Sequence, residues 1–277
     1  MSGKSYSFQV GRFACTALLD GASVIGQAGI LKRYPDATEA DYRQAYADVG
    51  QSLDDADSSL NVLAVKIGDA TVLVDSGEGH TPRGGHVSES MSLAGIAPED
   101  VTLVVITHAH GDHVQGLLST DGEPVYPNAS YVISKTEMAI WEGRIVDGAA
   151  AAQRPIVSMM QDKGLRLIEM DEQIMPGLTA VPIPGHTLGQ IACLFESDGE
   201  KMIHLADLLH TPMQFAHPEW SPSFDADTSL SVPTRRNSLG RAADENLLAM
   251  FYHLSFPGVG RVKRAGEGLI WQPIVLS

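Results

Sequence analysis

The stretch that decides the fold runs from Val101 to Leu118 and reads VTLVVITHAHGDHVQGLL. Val101 to Ile106 is a continuous apolar run with one threonine, the pattern of a strand buried on both faces. The next seven residues, Thr107 to His113, carry three histidines and an aspartate. Val114 to Leu118 then predicts the start of a helix. Side chains repeat every second residue on an extended chain, so His108 and His110 point the same way. Asp112 and His113 fall on the turn and the first helical residue beyond, where they face a neighbouring site. One loop therefore offers ligands to two metals rather than one.

Outward from this loop, strands keep ending in polar residues. Leu178 to Ile183 runs into Pro184-Gly185-His186, and Lys201 to Leu205 into Ala206-Asp207, with Ile191 to Phe195 as a further strand. A helical region is predicted over Asp227 to Met250, followed by a short strand, Phe251 to Leu254, that carries His253. On the N-terminal side, Ser7 to Leu19 holds one or two strands. Thr38 to Val49 reads as a helix capped by Thr38 with Gly50 just past its end. Leu60 to Ile67 and Thr71 to Val74 pair about the Gly68-Asp69 turn signal. After the histidine loop come a strand over Val125 to Ile133, a helix over Lys135 to Arg144, and a second helix over Ala149 to Lys163 that Pro155 disturbs. With no repeat and no linker, the mixture predicts one α/β domain over residues 1–277.

The chain has 277 residues, enough to bury a core without disulfides. Its two cysteines, Cys15 and Cys193, suggest neither a disulfide scaffold nor a cysteine-based zinc site, and fit a reducing, cytoplasmic setting. Met1 to Val10 lacks the apolar run and cleavage site of a secretory leader. No stretch approaches 18 continuous apolar residues, so no membrane span is expected. The formal net charge of −15 would repel a phosphate backbone and argues against a nucleic-acid partner. A small-molecule substrate is the expected partner, and self-association stays open.

Seven residues stand out: His108, His110, Asp112, His113, His186, Asp207 and His253. All are of types that bind borderline or hard divalent cations, and cysteine is absent from the set. Five of the ten histidines belong to it, and four of the seven residues fall within six positions. Chance clustering on a surface loop does not account for that density directly after a buried strand.

The segment Thr107 to His113 resembles the His-x-His-x-Asp-His signature of the metallo-β-lactamase superfamily. The likeness continues in order through Val74-Asp75-Ser76-Gly77, Pro184-Gly185-His186-Thr187, Asp207 and His253, and covers roughly residues 60–260. It implies an αββα sandwich of two mixed β-sheets flanked by helices, with metals at one sheet edge. Carried over, His108, His110 and His186 would hold a first metal; Asp112, His113 and His253 a second; and Asp207 would bridge both. Asp75 would orient a ligand loop by hydrogen bonding.

Several branches of the superfamily are disfavoured by particular residues. The oxygen-reducing di-iron branch normally has glutamate where this chain has His110. True β-lactamases usually lack an equivalent of Asp207, and glyoxalase II-like thioesterases append a helical region for which little chain remains after His253. The segments Asp207 to Trp220 and Phe251 to Gly258 resemble the methyl parathion hydrolase and lactonase-like branch. In two places the chain departs from the pattern. Ala206 stands where glycine is common before the bridging aspartate, and His210 stands where acyl-homoserine lactonases place a tyrosine. The second tilts the expectation toward the organophosphate-hydrolase-like side.

The expected chemistry is cleavage of an ester-like bond (lactone, aryl ester or phosphotriester) by a hydroxide shared between two divalent cations. Zinc suits the donor set best, with manganese, cobalt or iron as alternatives. Asp112 accepts or relays a proton. His210 either donates a hydrogen bond to a developing oxyanion or is a loop histidine that never touches substrate. Phe215, His217 and Trp220 are candidates for the pocket wall or for ordinary core packing. His80 and His86 lie in a Gly-rich loop that borders the site, and His204 reads as a core histidine. Specificity is expected in the loops Gly77 to Ser92 and Leu208 to Phe224. Thioesterase or β-lactamase activity is the alternative, and a non-catalytic metal-binding sensor a remote one.

Overall fold

The computed structural model describes residues 4–81, 84–266 and 268–274. The start of the Met1 to Val10 reading and part of the Gly77 to Ser92 loop lie outside the described residues.

Two seven-stranded sheets form in chain order. The first holds β1 (Ser5–Val10), β2 (Phe13–Val24), β3 (Asp57–Ile67), β4 (Ala70–Val74), β5 (Val101–Val105), β6 (Ser130–Ser134) and β7 (Leu165–Ile168). The second holds β8 (Gln173–Met175), β9 (Leu178–Pro182), β10 (Ile191–Ser197), β11 (Glu200–His204), β12 (Leu248–Met250), β13 (Val259–Ala265) and β14 (Gly268–Pro273). Both are mixed: β4 to β7 pair in parallel, as do β11 and β12, while the other pairs are antiparallel. The helices are α1 (Gly26–Arg33), α2 (Glu39–Asp48), α3 (Val87–Leu93), α4 (Gly111–Val114), α5 (Lys135–Val146), α6 (Arg154–Asp162) and α7 (Thr228–Asp244).

Strand alternation makes the layers. In β3, Leu63, Val65 and Ile67 enter the core between the sheets, while Leu60, Val62 and Ala64 face the outer core under α3, α5 and α6. In β10, Ile191, Cys193 and Phe195 point between the sheets, and Ala192 and Leu194 face the outer core that includes Leu239 and Ala242 of α7. Both faces of these strands are apolar because both are covered. The expected αββα sandwich is therefore the observed one.

Most sequence expectations hold with shifted ends. Thr38 caps α2, its hydroxyl accepting from the Asp41 amide while the Asp41 carboxylate accepts from the Thr38 amide. The strand expected over Val125 to Ile133 is shorter: Val125 to Ala129 is loop, where Pro127 offers no ladder donor. Pro155 does not interrupt a helix; it lies in the first turn of α6, where its missing N–H costs nothing. The helix expected to reach Met250 stops at Asp244, where Asn246 takes a left-handed φ of 50°. The strand then comes at Leu248–Met250, not at Phe251 to Leu254, so His253 sits in the loop that follows β12. Helices α1 and α3 and the β13–β14 hairpin carried no clear periodic signal.

The strand ends that matter lie at one edge. β5 leads into His108–His113, β4 into Asp75, β9 toward His186, β11 toward Asp207 and β12 toward His253. The two sheets are stitched there by the Ile191 amide donating to the Thr107 carbonyl at 3.1 Å. Helix α5 closes the same edge. Its cap, Ser134, accepts from the Glu137 amide and donates to the Gly189 carbonyl at 2.7 Å.

A Cβ on Gly189 would overlap the backbone N and Cα of Glu137. Gly189→Ala is expected to cost about 1–3 kcal/mol, the range for overpacking a filled site. Denaturant unfolding checks this; an unchanged midpoint would contradict the close approach.

His204 is buried with neither ring nitrogen hydrogen-bonded, and burial pushes its pKa down to about 4. Above about pH 6.5 it is neutral folded or unfolded and contributes nothing. Below that, the unfolded chain takes up a proton that the folded chain refuses, so stability falls as pH drops toward 4. Between pH 7 and 4.5, His204→Leu is expected to lose about 2–3 kcal/mol less than the parent. Equal losses in paired unfolding curves would overturn this.

Candidate metal centre

All seven residues singled out from the sequence meet in one place. His108 Nε2 and His186 Nε2 lie 3.1 and 2.9 Å from His110 Nδ1. Asp207 Oδ2 stands 3.7 Å from His108 Nε2 and 3.3 Å from His186 Nε2. Beside this group, Asp112, His113 and His253 bring three donor atoms within 4.8 Å of one another. Asp207 reaches this second group too, with Oδ1 3.2 Å from His113 Nε2 and Oδ2 3.1 Å from His253 Nε2.

The donor atoms fit divalent cations. His113 Nε2 and Asp207 Oδ1 are buried and have no hydrogen-bond partner, although they face each other. Three imidazole nitrogens crowded this closely suit the corners of a small coordination polyhedron, whose edge is about 3.3 Å for metal–nitrogen bonds of about 2.0–2.1 Å. The donors are nitrogen and oxygen only; Cys15 and Cys193 are buried elsewhere, in the core between the sheets.

Burial keeps His108 and His110 neutral. Burial holds His108 well below the usual histidine value, reinforced by His113, and burial with His186 brings His110 down to about 3. For His113 burial acts downward as well, but the carboxylates of Asp207 and Asp75 outweigh it and raise the pKa well above normal. Burial would raise Asp207; the surrounding histidines, His253 and His113 foremost, hold it well below the ordinary carboxylate range.

Each ligand loop is braced from behind. Asp75 accepts from the Thr107 amide and hydroxyl, both at 2.8 Å, and its Oδ2 lies 2.8 Å from His113 Nδ1. That contact leaves Nε2 of His113 aimed at Asp207. The Tyr252 hydroxyl donates to the Asp112 carbonyl. Glu137 accepts from the Ala109 amide at 3.0 Å and from the Thr187 hydroxyl at 2.6 Å, tying the first histidine loop to the third. Asp225 Oδ1 lies 3.0 Å from His186 Nδ1, while its Oδ2 accepts from buried Arg235. Behind His253, Nδ1 meets the Ser58 hydroxyl at 3.3 Å and the Ser59 carbonyl at 3.2 Å.

Of these braces only Asp75 was read from the sequence. Glu137 left a signal: it shares a helix face with Trp141 and Ile145 at spacings of four, an acid inside an apolar stripe. Asp225 and Ser58 left none, because their roles depend on how distant loops fold back.

A cavity of about 520 Å³ opens above the cluster. His210 lies on its wall, with Nε2 3.2 Å from Asp207 Oδ2 and its ring stacked on His253 at 4.8 Å. Burial brings its pKa down to about 4 against the pull of Asp207. The aromatic wall is Phe224 rather than the three residues considered. Phe215 stacks on Trp271 and meets Phe251 edge-on in the outer core, and Trp220 packs on Tyr42 and His217. His80 and His86 do not line the cavity; α1 does, through Gly29, Lys32 and Arg33.

Comparison with known proteins agrees with this geometry. The chain aligns at 23% identity with an N-acyl homoserine lactonase of a Bacillus species, over 51% of this chain and 52% of that protein. It spans about half the length of the curated relatives it matches. Among solved structures, AidC, a dizinc quorum-quenching lactonase in complex with a product, superposes with a TM-score of 0.89 at 26% identity, covering 99% of this chain and 98% of the other. The hydrolase AbOPH shares the fold at the same TM-score and 24% identity, covering 100% and 99%. The metallo-beta-lactamase superfamily model matches residues 57–244, the span from β3 through α7 that carries six of the seven clustered side chains. More than half the chain lies within that match, and the layered fold agrees with it from end to end: the chain belongs to the metallo-β-lactamase superfamily.

Proposed function

We propose that residues 1–277 form one metal-dependent hydrolase domain that cleaves an ester-like bond (lactone, aryl ester or phosphotriester) in a small molecule. The observation that carries this reading is Asp207, whose carboxylate stands between two groups of ligand atoms on a cavity floor. In this reading His108, His110 and His186 would hold one cation and Asp112, His113 and His253 a second, with Asp207 within reach of both. Zinc is the best match to this nitrogen and oxygen set. Such a pair of ions supplies an activated water near neutral pH and polarises the substrate oxygen.

The chain's own groups do the rest. Asp112 accepts or relays the proton released during attack. His210, neutral because it is buried, offers its Nε2–H to the developing oxyanion; at rest that nitrogen faces Asp207. The proton held by His113 must leave when a cation is bound, since metal ligands bind deprotonated. Similarity to a dizinc lactonase supports the ester-like class.

Metal analysis with a panel of aryl esters, lactones, phosphotriesters, thioesters and β-lactams tests the reading. Two equivalents of metal and turnover of an ester-like substrate are expected. His108→Ala should lose more than about 100-fold, beyond the roughly 10–100-fold typical of an orienting partner. Unchanged turnover in that variant, or a single inert metal, would overturn the assignment. Glu137→Ala, which unties two ligand loops, should weaken metal binding about 10–100-fold in a competition titration with a chromophoric chelator. Full affinity would show that the loops hold their positions without it.

A further inference from the structure

Helix α1 was not anticipated from the sequence, yet it forms one wall of the cavity. Its packing explains which face it presents. Ile30 and Tyr34, four residues apart, are buried in a cluster with Tyr42, Tyr46 and Trp220. The opposite face therefore turns Gly29, Lys32 and Arg33 toward the cavity. The same helix end is fixed to the loop bearing Phe224, since the Ser223 amide donates to the Arg33 carbonyl at 2.7 Å.

Acidic residues outnumber basic ones 34 to 19, yet two cations stand side by side on this cavity wall. Among the described residues, no carboxylate pairs with Lys32 or Arg33. Among the described residues, the carboxylates lining the cavity are Asp112 and Asp207, both in the histidine–aspartate cluster at its floor. Above that floor the described wall is two cations, His210, Phe224 and the small residues Gly29, Ser58 and Ser223.

Two basic residues in a last helical turn have an ordinary explanation, the favourable interaction of cations with the helix C-terminus. That account predicts nothing about a cavity. An unpaired pair on the wall of a substrate cavity, in an otherwise acidic chain, has the character of a recognition element.

We propose that Lys32 and Arg33 form an anion subsite at the cavity mouth, so that the preferred substrate carries a carboxylate or similar compact oxyanion away from its scissile bond and lays its apolar part against Phe224. As a statement about substrate, this rests on the hydrolase reading above. It places uncharged lactones and phosphotriesters below anionic esters in preference.

The test has two arms. The first compares kcat/KM for an aryl ester bearing a remote carboxylate with that for its uncharged carboxamide analogue. The anionic ester should be favoured at least tenfold at low salt, the preference should shrink as salt is raised, and Lys32→Gln/Arg33→Gln should reduce it at least tenfold. A preference absent in the parent, or retained in the double variant, would overturn the subsite while leaving the hydrolase reading intact. The second arm needs no turnover. Binding of 2-naphthalenesulfonate, an aryl anion and a weak metal ligand, is measured by calorimetry on the metal-loaded parent and double variant. At least tenfold weaker binding in the variant supports the subsite even if every ester in the panel proves inert, whereas equal binding overturns it.

Discussion

The structure depends on one buried carboxylate, Asp207, surrounded by imidazoles that come from distant parts of the chain. An isolated carboxylate in such a place costs several kcal/mol. Here His108, His113, His186, His210 and His253 all place a nitrogen within 3.7 Å of it. Burial likewise disfavours the charged forms of His108 and His210 beside it. The groups are compatible with burial only together, and a bound cation is the partner that suits them all. Even the backbone bends to this purpose. Ala206 takes a φ of 42°, a region that costs a residue with a Cβ about 1–2 kcal/mol relative to glycine. The glycine common at this position is thus a conformational requirement, which alanine meets under strain while its methyl packs in the outer core.

The scaffold delivers the cluster by ending strands of both sheets at one edge. Strand interiors are apolar on both faces and fix the register, so each polar side chain just past a strand end has little freedom. Asp75 braces the loop after β5, Glu137 joins it to the loop after β9, and the Asp225–Arg235 pair holds His186. These contacts connect a fold selected by hydrophobic burial to atoms that must be placed within fractions of an ångström.

What could be read from the sequence followed from locality. Val101 to His113 compresses a buried strand and four residues of the cluster into thirteen positions, so the fold and the candidate site were both legible there. His186 and Asp207 were found because each follows an apolar run; His253 was expected within a strand over Phe251 to Leu254, but the strand is Leu248–Met250 and the histidine lies in the loop beyond. The wall of the cavity was legible only in part: the loop Leu208 to Phe224 supplies His210, Ser223 and Phe224, but α1 was not expected there. Phe215 and Trp220 have the composition of pocket residues but fill core space, and Phe224 replaces them. Helix α1 reached the site only because its Ile30 and Tyr34 dock on α2 and the segment around Trp220, a contact across nearly two hundred residues. Such long-range packing builds the wall, and for that reason the histidine–aspartate cluster was legible before the cavity around it.

The central claim is that Asp207 lies between two cations. Diffraction from crystals grown with zinc, recorded on both sides of the zinc absorption edge, tests it directly. Two anomalous peaks about 3.5–4 Å apart are predicted, one beside His108, His110 and His186 and the other beside Asp112, His113 and His253. A single peak, or none within reach of Asp207, would contradict the account.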